Sequence, residues 1–363
     1  MRILYGVQGT GNGHISRARS IVGKLKALGA QVDFVFSGRD NKEDYFDMEE
    51  FGDFKALHGV RLCMDKGRLN ILKTMASFSF KKLNREIKSL DLSQYDLVLT
   101  DFEPISAWAA KKQNVPCVAI GHQYSFKYDV PCEGDNFISR FIFKYYAPSD
   151  RHIGFHWNSY SAPILPPLIH CIDDVTKNEV QRTNDVLVYL VHENSQEMIV
   201  LLQQLSDIHF IYHCADIEPG QYSNVEVKAF SRDGFQKSLL KCNYIITGAG
   251  FEFPSEALQL GKSIMVKPVK GQMEQLSNAK ALTQLGFATR VEHWDVDTIR
   301  HWYETSELVQ VSFPDITNDI AKWVMDPTQE SIGQISKRLW SNVVSSKIEK
   351  EDEFSLTSIL KMV

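Results

Sequence analysis

The sequence predicts an α/β protein built from two doubly wound, Rossmann-like domains that face a central cleft. Short apolar runs alternate with amphipathic helical patterns through the first half, which predicts a parallel sheet covered on both faces. The alternation stops in a Pro-rich and then polar stretch, residues 163 to 185, and afterwards starts again. Each half also has one strand that runs into a small-residue turn and a helix, at Ile3–His14 and Tyr244–Leu258. Ligands of such sheets bind beyond the carboxyl ends of the strands.

In chain order, Ile3–Val7 reads as a strand. A helix follows with Ile15, Ala18, Ile21, Val22, Leu25 and Leu28 on one face, and Gly29 ends it. Gln31–Phe36, Leu97–Thr100 and Val115–Ile120 are further strands, with a helix over Ile105–Lys112. The second half offers strands at Val186–Val191, His209–His213, Val225–Phe230, Tyr244–Thr247, Ser263–Val266 and Ala288–Val291, with a helix over Glu274–Leu285. The expected boundaries are a first domain over 1–165, a linker over 166–184, a second domain over 185–340 and a helical tail over 341–363.

At 363 residues the chain suits two domains of ordinary size, and its net charge of −5 gives no support to a nucleic-acid surface. Its six cysteines form no CxxC pair, and four lie in or beside strand-like runs, as reduced core thiols do. No signal peptide and no membrane-length apolar run is visible, so a cytoplasmic protein is expected.

The opening Gly9-Thr10-Gly11-Asn12-Gly13-His14 approaches a dinucleotide fingerprint but puts His14 where the third glycine belongs. Backbone amides and a helix start there favour an anion or a reacting oxygen, and the histidine adds a titratable group. Gly11, Asn12, Gly13 and Arg17 are the candidates around it. In the second half, Gly248-Ala249-Gly250 and the helix start at Phe251 make a second anion site, with Pro254 suited to a first turn. Glu256 can accept two hydrogen bonds from the vicinal hydroxyls of a ribose. Glu274 and Gln275, at the next helix start, form an acceptor-rich pair suited to sugar hydroxyls.

The small-residue turn, the Ser255-Glu256 pair and the Glu274-Gln275 pair, in that order, resemble the donor site of GT-B glycosyltransferases. The likeness runs over roughly residues 1 to 300. It is greatest to the bacterial enzyme that adds N-acetylglucosamine to the lipid-linked peptidoglycan precursor, and to uncharacterised bacterial and archaeal proteins with the same Gly-Thr-Gly-Asn-Gly-His opening. It is looser to plant enzymes that use UDP-glucose. The resemblance implies the GT-B fold, Gly250 and Phe251 by a diphosphate, Glu256 on the ribose, and Glu274 and Gln275 on the donor sugar. The peptidoglycan enzyme has two glutamines at the last pair, which leaves the sugar open. By the plant likeness His14 is the general base and Asp101, after the strand Leu97–Thr100, its orienter. His192 and Ser195, after the first strand of the second half, are further donor-phosphate candidates.

The expected activity is therefore inverting, metal-independent transfer of a sugar from a nucleotide-sugar, expected to be UDP-linked, to a hydroxyl acceptor, with no cofactor. Two other readings stay open: a UDP-sugar 2-epimerase on the same fold, and a protein that binds sugar nucleotides without turning them over. Simpler roles are open for single residues too. His14 alone could be structural, Asp101 could cap the helix after it, and Glu274-Gln275 could be a solvated first turn. Arg17 and Arg19 sit in the first turns of a helix, where the dipole disfavours cations. They pair with surface acids or meet an acidic acceptor such as a lipid diphosphate. The basic amphipathic stretch Asn70–Leu90 is a core-facing helix or a contact with the inner face of a membrane. The cluster Phe137, Phe141, Phe143, Tyr145 and Tyr146 is packing or an acceptor pocket.

Overall fold

A computed structural model describes residues 1–39, 41–45, 47–60, 64–65, 68–69, 79–135, 143, 145–169 and 181–348. The first half contains β1 (Arg2–Gln8), α1 (Asn12–Ala27), β2 (Gln31–Ser37), β3 (Lys55–Leu57), α2 (Phe80–Ser89), β4 (Leu97–Asp101), α3 (Pro104–Gln113), β5 (Cys117–Ile120) and β6 (Arg151–Ile153). Its strands pair in the order β3-β2-β1-β4-β5-β6, all parallel. The inner strands are apolar on both faces because helices cover both, and every residue of β4 is buried. The α1 stripe Ile15, Ala18, Ile21, Val22 and Leu25 is buried as its spacing predicts, and Gly29 closes the helix at φ 85°.

The second half contains β7 (Thr183–Tyr189), α4 (Ser195–Leu202), β8 (Phe210–His213), β9 (Gly220–Tyr222), β10 (Val225–Lys228), α5 (Arg232–Lys241), β11 (Cys242–Gly248), α6 (Glu252–Gln259), β12 (Ser263–Lys267), α7 (Met273–Gln284) and β13 (Thr289–Arg290). These strands pair as β9-β10-β8-β7-β11-β12-β13, and only the β9–β10 pair is antiparallel. Both sheets reverse direction beside their first strand, between β1 and β4 and between β7 and β11. Such switch points open a crevice at the carboxyl edge. Val7 lies opposite Asp101 in the first, and Tyr189 opposite Thr247 in the second.

Two features differ from the sequence reading. Helix α9 (Thr317–Met325), after α8 (Val296–Thr305) and β14 (Leu308–Ser312), packs back against α1 of the first half. One apolar cluster therefore runs from Ile3 and Tyr5 through Phe155, Trp157 and Phe251 to Leu258 and Ile320. Beyond α10 (Ile332–Trp340), residues expected to be helical form β15 (Val344–Ile348), which pairs antiparallel with β14. The exposed strand hydrogen bonds of β14 supply what a short polar segment could not gain as an isolated helix. The expected linker falls largely, and Asn70–Phe78 and the rest of the tail wholly, outside the described residues. Among the described cysteines, Cys117, Cys214 and Cys242 are free and buried and Cys132 is free and partly exposed. No helix among the described residues is long and apolar enough to cross a membrane.

Candidate functional site

The loops at the carboxyl ends of the two sheets meet, and their contact builds the site. His14 stands in the first turn of α1, just past β1, and Asp101 ends the neighbouring strand β4. Their side chains meet with Nδ1 of His14 at 2.7 Å from Oδ1 of Asp101. Nη2 of Arg17 also lies 3.0 Å from this nitrogen, but it already donates to Asp101 Oδ1. A carboxylate can only accept, so the shorter Asp101 contact puts the proton on Nδ1 and leaves Nε2 as the acceptor. The His14 side chain keeps 14% of its surface exposed, whereas that of Asp101 has none.

Asp101 is not the cap of α3. Glu103 is: its carboxylate accepts from Ile105 N at 2.8 Å and Ser106 N at 2.7 Å, and from the hydroxyls of Ser37 (2.7 Å) and Ser106 (2.6 Å). Between the two acids Phe102 has φ 51°, a left-handed conformation that costs a bulky residue about 1 kcal/mol or more. The turn is imposed by Thr100, whose hydroxyl bonds both backbone groups of Glu103, and by the Phe102 ring stacked on Tyr146 at 4.8 Å. This frees Asp101 to face His14.

Arg17 takes one of the two readings open for it, pairing with acids, but with acids enclosed at the site and not with surface ones. Its side chain is 1% exposed, and it donates from Nε to Asp101 Oδ2 at 2.7 Å and from Nη2 to Oδ1 at 2.6 Å. Nη1 donates to Glu252 of the second half. Burial alone would push the Asp101 carboxyl up, but Arg17 and then His14 outweigh it and hold the carboxyl below its ordinary range. Removing Arg17 would leave a buried charge unpaired, which costs about 3–5 kcal/mol.

Across the contact, α6 begins at Glu252, one residue past Gly250-Phe251. Burial pushes the Glu252 carboxyl up to about 7, with Arg17 opposing. Glu256, half-buried one turn along, is pushed up to about 8, by burial first and by Glu252 second. Gly250 has open space around it and Gly248 lies near Gln275, as a turn that admits a ligand requires. Gln275 Oε1 accepts from Val269 N at 3.0 Å and so pins the loop before α7. Glu274 accepts from Nε2 of Gln123, on the loop after β5, at 3.1 and 3.2 Å. In the opening loop Gly11 borders open space and Asn12 Oδ1 accepts from Arg39 at 2.9 Å.

Two donor-side expectations change. The Phe251 ring does not line an open cradle. It is buried between the halves, stacked on His122 at 4.0 Å and against Trp157 at 4.8 Å. Ser195 is buried, and its hydroxyl donates to Asp216 at 2.6 Å and accepts from Tyr212 at 3.1 Å, so it is occupied within its own half. His192 is half-buried in the turn after β7, and burial lowers its basicity.

Sequence reasoning did not find the other residues that join the halves. His122 bonds Asn278 at 2.6 Å, Trp157 donates to Ser255 at 2.8 Å, and Arg290 forms a two-pronged pair with Glu133 at 2.6 and 2.7 Å. One signal was present. A cation at position 17, on the wrong end of a helix and one turn from His14, needs an acidic partner. Among the described residues no group of three or more His, Cys, Asp or Glu side chains is arranged to hold a metal ion.

Two α/β units of largely parallel strands that meet at the carboxyl edges of their sheets make the GT-B architecture. The chain belongs to glycosyl transferase family 1, whose model matches residues 1–305. It is 23% identical to an uncharacterised glycosyltransferase of Methanosarcina mazei over 81% of this chain and 87% of that one. Solved structures share the fold at low identity. Arabidopsis thaliana UGT89C1 complexed with quercetin has a TM-score of 0.60 and 12% identity, covering 93% of this chain and 99% of that one. Acinetobacter baumannii MurG has a TM-score of 0.52 and 12% identity, covering 94% and 99%.

Proposed function

We propose that this glycosyltransferase moves a sugar from a UDP-linked donor to a hydroxyl acceptor in one inverting displacement, with His14 as general base and Asp101 as its orienter. The observation that carries this reading is the His14–Asp101 contact of 2.7 Å on a partly exposed imidazole beside the start of α6. As the acceptor oxygen bonds to the anomeric carbon, its proton passes to Nε2 and the bond from that carbon to the diphosphate breaks. A positioned base contributes about 10²–10⁴-fold to such a step, and Asp101 stabilises the imidazolium that forms. The amides of Gly248–Gly250 and of the α6 start take up the leaving charge in place of a divalent ion. Glu256 takes the ribose, and Glu274 and Gln275 take the sugar.

A UDP-linked donor is supported by the ribose acid and by UGT89C1, which is also known complexed with UDP; SsfS6 of Streptomyces is known complexed with thymidine diphosphate. An acceptor linked to a lipid or to envelope polysaccharide would suit α2, where Phe80 is 78% exposed beside exposed Lys81, Lys82, Arg85 and Lys88. That face would meet the cytoplasmic side of an anionic membrane.

A thermal-shift screen across UDP-, dTDP- and GDP-sugars tests the donor half. One UDP-sugar should raise the melting temperature, and Glu256→Ala should remove the rise. His14→Ala should abolish transfer from that donor while its affinity stays within about threefold. Lost donor affinity in His14→Ala would overturn the assignment of the base.

A further inference from the structure

Arg17 has no part in the bond-making step, yet three groups hold it and its Nη2 lies 3.0 Å from Nδ1 of His14. Its fork fixes both oxygens of Asp101, the Phe155 ring lies 5.6 Å from its Cζ, and its remaining amino group reaches Glu252 across the halves. Arg17 lies one turn along α1 from His14, so both approach Asp101 from one helix face. A carboxylate bonded at one oxygen can rotate. One gripped at both cannot, and its Oδ1 then stays on Nδ1 of His14. The grip on Arg17 itself is shared between the halves, because Glu252 belongs to α6.

We propose that Arg17 is a positioning residue for the base and that its bond to Glu252 makes the orientation of His14 depend on closure of the two halves. With the halves apart, Arg17 loses one of its two acids, and with it the anchor on Nη1 that keeps its fork square on Asp101. The base is then set once the donor-binding half has docked, which protects the donor from water in the open state. The charged and titratable groups around the pair are Asp101, His14, Tyr5, His122 and Tyr124 on the first half and Glu252, Glu256 and Glu274 on the second. The proposal rests on His14 being the base.

The test uses the full chain and the variants Arg17→Met, Arg17→Lys and Glu252→Ala, each checked for folding by thermal unfolding. Imidazole nitrogen spectra at pH 8, with His14→Gln for assignment, report which ring nitrogen of His14 holds the proton. UDP release from UDP-glucose reports turnover. The wild type should show His14 protonated at Nδ1 alone. All three variants should show a mixture of both tautomers, and kcat should fall about 10²-fold with KM within about threefold. Arg17→Lys should not restore the single tautomer, because an ammonium keeps the charge but loses the fork. If Arg17→Met does not fold, the lysine and Glu252→Ala variants decide. A wild-type tautomer or an unchanged kcat in a folded variant would overturn the proposal and leave Arg17 as packing. If His14→Ala releases UDP at the wild-type rate while the tautomer still shifts in the Arg17 variants, the base assignment fails and the positioning geometry stands.

Discussion

Gly13 and Glu252 belong to opposite halves of the molecule, yet a methyl group on Gly13 would lie 2.5 Å from Cγ and 3.3 Å from Cβ of Glu252. The glycine is needed there for close approach of α6 rather than for an unusual backbone angle. Rotating the carboxylate alone does not relieve the contact with Cγ. Gly13→Ala must therefore either turn Glu252 about χ1, which takes its carboxylate off Arg17, or push the start of α6 away from His14. Turnover should fall about 10²-fold. Gly11→Ala, with nothing within 4 Å of the new methyl, should stay within about twofold of wild type. Steady-state rates of the two variants with one donor check this pair, and equal losses would contradict it.

Glu252 also gives donor binding a pH slope. Its carboxyl is pushed up to about 7, so between pH 6 and 8.5 it gains negative charge beside the amides that are to hold a diphosphate. Rising pH thus adds repulsion, and the affinity for UDP-glucose, whose phosphates do not titrate in this range, should fall across that window. Calorimetric titration at the two pH values should show a loss of about threefold or more in the wild type and a smaller loss in Glu252→Gln, where Glu256, pushed up to about 8, still titrates.

Much of this architecture was legible because the inner strands are unbroken apolar runs such as Ile3–Val7 and Leu97–Leu99, which only a doubly covered sheet accommodates. The pairing of His14 with Asp101 came from the likeness to plant enzymes, with support from both residues falling at the carboxyl rim of one sheet. Edge strands β3 and β6 have three residues each and carry little pattern. The role of Arg17 was hidden for another reason: Glu252 lies 235 residues away, and local sequence says nothing about which carboxylate a cation will meet. The side chain of Phe251 was misjudged because backbone amides at a helix start and the ring of the same residue can face different ways. Ser195 was misjudged because Asp216, its acceptor, sits on a loop with no recognisable pattern.

Glu103 makes a prediction about stability rather than activity. Its buried carboxylate caps α3 and also satisfies the hydroxyls of Ser37 and Ser106. Glu103→Ala removes the cap and leaves four donors without their acceptor in a buried site. The expected loss is about 2–4 kcal/mol in urea unfolding. Asp101→Asn, by contrast, should reduce turnover and leave the α3 cap untouched. A larger stability loss in Asp101→Asn than in Glu103→Ala would mean that the cap has been assigned to the wrong acid.

The plug between the halves should make the molecule acid-labile. His122 and His156 are both buried, and burial lowers the basicity of each; for His156 the neighbouring His122 ring adds to the effect. His156 Nδ1 accepts from Trp157 N at 2.9 Å, and its Nε2 has no hydrogen-bond partner among the described residues. The His156 ring, whose Nδ1 accepts, is therefore neutral in the folded state, while in the unfolded chain it takes up a proton near pH 6.5, about the ordinary value. His122, with Phe155 O on Nδ1 and Asn278 Oδ1 on Nε2, faces two acceptors and is not assigned to the neutral form. As pH falls below that value the unfolded state binds more protons than the folded one, so stability declines; above it the full stability is present. The slope from His156 approaches about 1.4 kcal/mol per pH unit until its folded-state ring titrates. Urea unfolding at pH 7.5, 6.5 and 5.5 should show little change over the first interval and a clear drop over the second. His156→Leu removes one proton-binding group without emptying the space, and should make the second drop smaller by about 1 kcal/mol. An identical drop in the variant would locate the acid sensitivity in the carboxylates and away from the ring that Phe251 and Trp157 enclose.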